Sequence, residues 1–212
     1  MRHLLETISD ESVGLLQLKN DFTYRKLSPR VRLEAVGYSL AVAQQIAEPF
    51  LNKFACDAFK IAQSLKLQVK KDNVLNTVGA RYIFSEYYLN PPTIVLYLKS
   101  IELVERAILN FDLSSIFGIC DAIHVFLAHE IFHSLEATSV GEVGRKFKVT
   151  TLKLGPLRVT SGISTLSDIA AYHFAKKVLE CNFPPAMLSY LPLADNDARK
   201  LERILQSLAD HG

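Results

Sequence analysis

Cysteine is scarce in this chain. The three present, Cys56, Cys120 and Cys181, are scattered, odd in number and free of any C-x-x-C spacing. Such usage excludes a thiolate metal site and a disulfide framework, and suggests reduced thiols in a cytoplasmic setting. Long apolar runs are also missing. The longest, around residues 115–128, is too short for a membrane span and contains Asp121 and His124, so a buried core helix is expected there. Residues 1–28 carry Glu6, Asp10, Glu11 and Asp21 among several Lys and Arg, which leaves no secretory apolar region. No dense basic patch exists either: the net charge is +2, and Lys66, Lys70 and Lys71 are followed at once by Asp72. These absences give no case for a nucleic-acid or membrane partner. No internal repeat or low-complexity linker divides the chain.

What remains is a globular composition. With 49% hydrophobic and 22% charged residues over 212 positions, the chain can bury a sizeable core. Ser28-Pro29 supplies an N-cap and a first-turn proline, and Val31, Leu33, Val36, Leu40, Ala43 and Ile46 recur at helical spacing before Pro49. A further helical stretch is expected over about 50–65. After it the pattern alternates, and residues 67–70, 82–89 and 93–98 read as strands, with Asn90-Pro91-Pro92 as a turn. Ser100 is placed to cap a helix through Ile108. Gly141 and Gly144 mark the end of the next one, and residues 147–154 and 157–160 flank Gly155-Pro156 as a hairpin. A helix over 165–181, a Pro184-Pro185 loop and a C-terminal helix from about Asp195 follow. The expected class is α+β: an N-terminal helical region over 1–65 packed on a core over 66–212 with a small mixed or antiparallel sheet.

Within this layout, His129-Glu130-Ile131-Phe132-His133 matches the H-E-x-x-H pattern of zinc-dependent hydrolases. Histidines four apart on a helix share a face, with Cβ atoms about 5–6 Å apart. Both imidazoles can then reach one ion at about 2.0–2.1 Å. Glu130 beside that face can take a proton from a water that the metal activates. The flanking Ile123, Val125, Phe126, Leu127, Ala128, Ile131 and Leu135 make this helix a buried one. Burying two imidazoles and a carboxylate costs several kcal/mol unless something pairs with them, and a metal ion does so directly.

A catalytic zinc site usually takes three protein ligands and keeps one open position. The metzincin spacing would require Gly at 136 and His at 139, where this chain has Glu136 and Ser139, so that class is excluded. Glu136, one turn beyond His133, is poorly placed as a third ligand and reads as a partner of the ligands or a salt-bridged helix end. Asp168, His173 and Glu180 stand on the following helix. Asp168 also fits a capping box, Thr165-Leu-Ser-Asp168, that would need no metal. His173 lies about 140° around the helix from Asp168. Tyr172, at i+4, shares the face of Asp168 and could donate to a developing oxyanion, with His173 as the weaker candidate.

Ala128-His-Glu-Ile-Phe-His, followed by Asp168-Ile-Ala-Ala-Tyr-His-Phe-Ala-Lys-Lys-Val-Leu, resembles the motifs A-H-E-L-G-H and E-x-x-A-x-x-F-A-x-x-L-L of the ImmA/IrrE-like metallopeptidases. The resemblance covers residues 120–185. It implies a zincin-like fold of gluzincin type, a cytoplasmic protease acting on a peptide or protein substrate, often a single repressor or partner, and Asp168 as third zinc ligand. Ala171, Phe174 and Ala175 match its packing positions. The chain departs from the pattern in three places. Phe132 replaces a Gly, which would crowd the site; Asp168 replaces Glu, which requires a closer helix; and the proline after the second motif is displaced to Pro184. The expected function is therefore a Zn²⁺-dependent metallopeptidase with His129, His133 and Asp168 on the metal and Glu130 as general base. The alternative is a zinc-binding, non-proteolytic regulatory or partner-binding protein that keeps the fold. A peptide substrate would add as a strand to residues 93–98 or to the 147–160 hairpin.

Overall fold

The computed structural model describes residues 4, 7–117, 121–154 and 157–210, with the backbone alone over 151–159. Helix α1 (Asp10–Leu18) starts at Ser9, which forms a reciprocal capping box with Ser12. Helix α2 (Pro29–Ala47) begins as its sequence dictates, with Ser28 Oγ accepting from Val31 N and Pro29 at the first position. It buries Ala35, Val36, Ala43 and Ala47 against the rest of the chain, and Ser39 Oγ donates to the Leu166 carbonyl at 3.0 Å. Of the helical stretch expected over about 50–65, only Ala58–Ser64 forms. A 3-10 turn over Glu48–Phe50 ends α2, and positive φ at Asn52, Ala55 and Cys56 redirects the chain before α3 (Ala58–Ser64), capped by Asp57.

Five short strands follow: β1 (Gln68–Asp72), β2 (Asn76–Val78), β3 (Arg81–Ile83), β4 (Ser85–Tyr88) and β5 (Thr93–Tyr97). The sheet order is β1-β5-β4, with β1 parallel and β4 antiparallel to β5, while β2 and β3 form a separate hairpin. Strand β5 is thus central, which explains the complete burial of Ile94 and Leu96. The expectation that residues 93–98 offer a free edge is overturned; the edge strands of this sheet are β1 and β4. The strand expected over 82–89 breaks at Phe84, whose ring stacks on Phe126 at 4.3 Å.

Helix α4 (Leu98–Asn110) starts before Ser100, so Ser100 is no cap; its buried hydroxyl accepts from Asn76 N at 3.1 Å. After α5 (Ser114–Phe117), helix α6 (Ala122–Leu135) carries the H-E-x-x-H residues and is capped by Asp121. A π-helical turn over Glu136–Val140 and Gly141 at φ +76° end it. Helix α7 (Val143–Lys146), the antiparallel hairpin of β6 (Val149–Leu154) and β7 (Leu157–Ser161), and α8 (Thr165–Val178) come next. The Gly155-Pro156 turn lies outside the described residues. A 3-10 segment, Pro185–Ala194, occupies the expected loop, and α9 (Ala198–Ala209) closes the chain. Helix α8 packs against α2 on one side and α6 on the other. Among the described residues no helix is long and apolar enough to cross a membrane. Cys56 is a free thiol, but Cys181 is disulfide-bonded, which corrects the expectation of three reduced cysteines. Pairing depends on proximity in space, which sequence spacing does not reveal.

The N-terminus of α8 is capped from a distant part of the chain. Ser164 makes no side-chain cap to its own helix. Instead, the buried Asp21 carboxylate accepts through Oδ2 from Thr165 N (3.2 Å), Thr165 Oγ1 (3.1 Å) and Ser164 Oγ (3.2 Å). Its Oδ1 accepts from Thr23 N and Thr23 Oγ1 at 2.9 and 2.7 Å. The capping-box reading of Asp168 is therefore replaced: another carboxylate does that work. Burial alone would raise the Asp21 pKa, but the hydrogen bonds from Thr23 and Thr165 outweigh it and hold it below the usual range. Asp21→Ala is expected to lose about 1–3 kcal/mol at pH 7 in urea unfolding. Because the folded pKa lies below the unfolded value of about 3.9, that difference is fully present above pH 4 and should narrow as pH falls through the folded pKa.

Candidate metal centre

Helix α6 presents His129 and His133 on one face, and the first turn of α8 presents Asp168 to both. The two imidazole Nε2 atoms are 3.1 Å apart. Asp168 Oδ1 lies 3.4 Å from His133 Nε2 and 3.8 Å from His129 Nε2. One ligand atom from each residue falls within 4.8 Å of the others, a grouping that could hold a metal ion. Bonds of about 2.0–2.1 Å at tetrahedral angles separate ligand atoms by about 3.3 Å. The three separations lie around that value, so two nitrogens and one oxygen fit a single small cation.

His133 is held on its other side. Its Nδ1 lies 3.0 Å from Glu136 Oε2. With the proton on Nδ1, that contact leaves the Nε2 lone pair pointing at the shared centre. Glu136 is fully engaged: its Oε1 accepts from Val143 N at 2.8 Å and from Ser167 Oγ at 2.8 Å. One carboxylate thus ties the end of α6, the turn into α7 and the residue before Asp168. Gly144 and Gly162 reinforce this crossing. Ile163 N donates to Gly144 O at 2.8 Å, and a Cβ on either glycine would sit 2.5 Å from a carbonyl oxygen. Glu136 therefore supports a ligand and is not itself one of the converging three. The Nδ1 of His129, by contrast, is buried without a hydrogen-bond partner among the described residues.

Burial dominates the electrostatics here. It pushes the His129 pKa down to about 3, assisted by His133 beside it and opposed by Asp168. Burial would also depress His133, but the hydrogen bonds with Asp168 and Glu136 win and raise it to about 10. Desolvation acts to raise the pKa of Asp168, yet His133 and His129 hold it below the ordinary carboxylate range. Its carboxylate stands inside a cleft and still keeps 57% of its side-chain surface open to solvent. Glu130 is 6% exposed and receives a hydrogen bond from Ser85 Oγ at 2.8 Å. Burial raises its pKa, and His133 and the Ser85 hydroxyl act against that shift.

Two clefts meet at these residues. One of about 710 Å³ is lined by His129 and Asp168 together with Arg81, Tyr82, Tyr172 and Tyr190. A second, of about 760 Å³, is lined by His133 and Glu136 and by the charged residues of the turn into α7. Tyr172 stands on the Asp168 face of α8 as expected, its ring 4.2 Å from that of His129. Burial keeps its hydroxyl protonated far above the usual phenol range. Phe132 does not crowd the centre. It is fully buried, 5.7 Å ring to ring from Phe174, and lines neither cleft. His173 is turned away, with Nδ1 3.4 Å from Asp10 of α1, so it joins neither the cluster nor its clefts. Glu180 lies beyond the end of α8, beside Cys56. Ser85, Arg81 and Tyr190 had no signal in the sequence, because each reaches the site only through the β3–β4 bend or the 3-10 segment.

Glu136→Ala is expected to weaken metal binding by about 10–100-fold, since it frees the His133 ring and unties α8. Chelator competition measures this, and the folded protein should remain detectable by circular dichroism.

Comparison with protein-family models, with curated proteins and with solved structures finds no match to this chain, so its function is argued from this geometry.

Proposed function

We propose that this chain is a zinc-dependent metallopeptidase with a zincin-like arrangement. The observation that carries the reading is the convergence of His129, His133 and Asp168 from two helices, with the buried Glu130 carboxylate beside them. The two histidines would hold zinc through Nε2 and the aspartate through Oδ1, a donor set that suits tetrahedral Zn²⁺ and leaves one position open. Bound there, zinc would lower the pKa of water towards about 7 and polarise a peptide carbonyl.

Glu130 then acts as general base. Its Oε1 is engaged by Ser85, which leaves Oε2 to receive a proton from the attacking water and pass it to the leaving amine. The Tyr172 ring lies against that of His129, and its protonated hydroxyl is the donor proposed for the developing oxyanion. Strand β4 begins at Ser85, so its free edge runs from the general base, and an extended peptide can add there as a further strand. The H-E-x-x-H helix followed by an acidic residue on α8 is the motif order on which the resemblance to the ImmA/IrrE-like metallopeptidases rests. Phe132 and the short Asp168, which favoured a non-proteolytic zinc protein, lose weight: the first lies in the core and the second reaches both histidines.

The protein should purify with one zinc per chain by elemental analysis. Glu130→Gln should keep that zinc while hydrolysis of a mixed peptide library falls by at least about 100-fold. Asp168→Ala should lose the metal. Wild-type turnover in Glu130→Gln, or a protein that takes up no stoichiometric zinc, would overturn the reading.

A further inference from the structure

We infer that Arg81 recognises a carboxylate on the substrate, carried next to an apolar side chain; this rests on the metallopeptidase reading of the same cleft. Among the described residues Arg81 is the one Lys or Arg lining the cleft on the Asp168 side. Arg81 is exposed, and among the described residues its guanidinium makes no hydrogen bond and no ion pair, although its charge is felt by both Asp168 and Tyr190. The carboxylates that share the cleft are already engaged. Asp21 accepts from Thr23, Ser164 and Thr165, and Asp168 faces the two histidines. An unpaired guanidinium beside a centre built for a cation leaves the cleft short of negative charge. A planar fork of donors matches a carboxylate with two parallel hydrogen bonds, which a point charge cannot do.

The surroundings supply the second half of the specificity. Tyr82, Phe84 and Tyr190 line the cleft, and Phe22 and Leu193 stand at it 68% and 44% exposed. Such a wall takes an apolar side chain. Arg81 precedes Ser85, the residue that hydrogen-bonds the general base, by four residues, so their Cα atoms are at most about 13 Å apart. The carboxylate therefore belongs within a few residues of the bond to be cleaved.

The test is calorimetric binding to the Glu130→Gln protein, with and without zinc, so it does not depend on turnover. Three probes are compared: an N-acetylated Ala-Phe-Leu tripeptide with a free carboxylate, its amide, and the amide extended by a C-terminal glutamate. The free acid should bind about tenfold or more tighter than the amide. Arg81→Ala should abolish that difference and Arg81→Lys should retain part of it. A preference for the free acid alone assigns the group to a chain terminus, and an equal preference for the glutamate peptide assigns it to any carboxylate. Equal binding of acid and amide by the Arg81-containing protein, or a preference that survives Arg81→Ala, overturns the inference. Loss of zinc with the acid preference intact would instead count against the metallopeptidase reading alone.

Discussion

An aspartate reaches one methylene less far than a glutamate, so Asp168 can approach two imidazoles on another helix only if α6 and α8 lie close together. Much of the local structure serves that distance. Ala171 and Ala175, three and seven residues beyond Asp168, share its face and are completely buried, which removes bulk from the helix contact. Phe132 and Phe174 meet ring to ring deeper in the core. At the other end the Gly144–Gly162 crossing and the Glu136–Ser167 hydrogen bond draw the start of α8 against the end of α6. The short acid thus goes with small residues on its own helix face and with ties that hold the start of α8 to the end of α6.

The same arrangement solves an electrostatic problem. Two imidazoles and three carboxylates brought together, two of the carboxylates deeply buried, are costly unless each has a partner. Glu130 has Ser85, and Glu136 has Val143, Ser167 and His133. Asp168 is held in its charged form by the histidines it faces. His129 Nδ1 is the exception, a buried polar atom without a partner among the described residues, beside an Nε2 aimed at the common centre. Asp21 contributes from a distance. By capping α8 it leaves Asp168 free of the duty that its place in the first turn would otherwise suggest.

Local chemistry made part of this legible in the sequence. The Ser28-Pro29 start of α2, the central strand at 93–97 and the spacing of His129, Glu130 and His133 rest on periodicity and caps, and they formed where those rules place them. The mixed α+β class followed from the order of such elements. What failed depended on tertiary partners. Residues 50–57 have helical composition, yet positive φ at three of them turns the chain away. Thr165 and Asp168 have capping-box identities, yet the cap comes from Asp21, more than 140 residues earlier. Ser100 has the identity of a cap and serves as a tie to Asn76. Which strand forms the edge could not be read from hydrophobicity, because a strand reveals its burial and not its neighbours. For the same reason Arg81 and Ser85 were silent until the β3–β4 bend brought them to α6.

The most direct test of the central claim is X-ray absorption at the zinc edge on protein loaded with one equivalent of zinc. The account requires a four-coordinate centre of nitrogen and oxygen ligands near 2.0–2.1 Å, with scattering from two imidazoles and none from sulfur. A sulfur ligand near 2.3 Å, or a spectrum of hydrated zinc without imidazole, would contradict it.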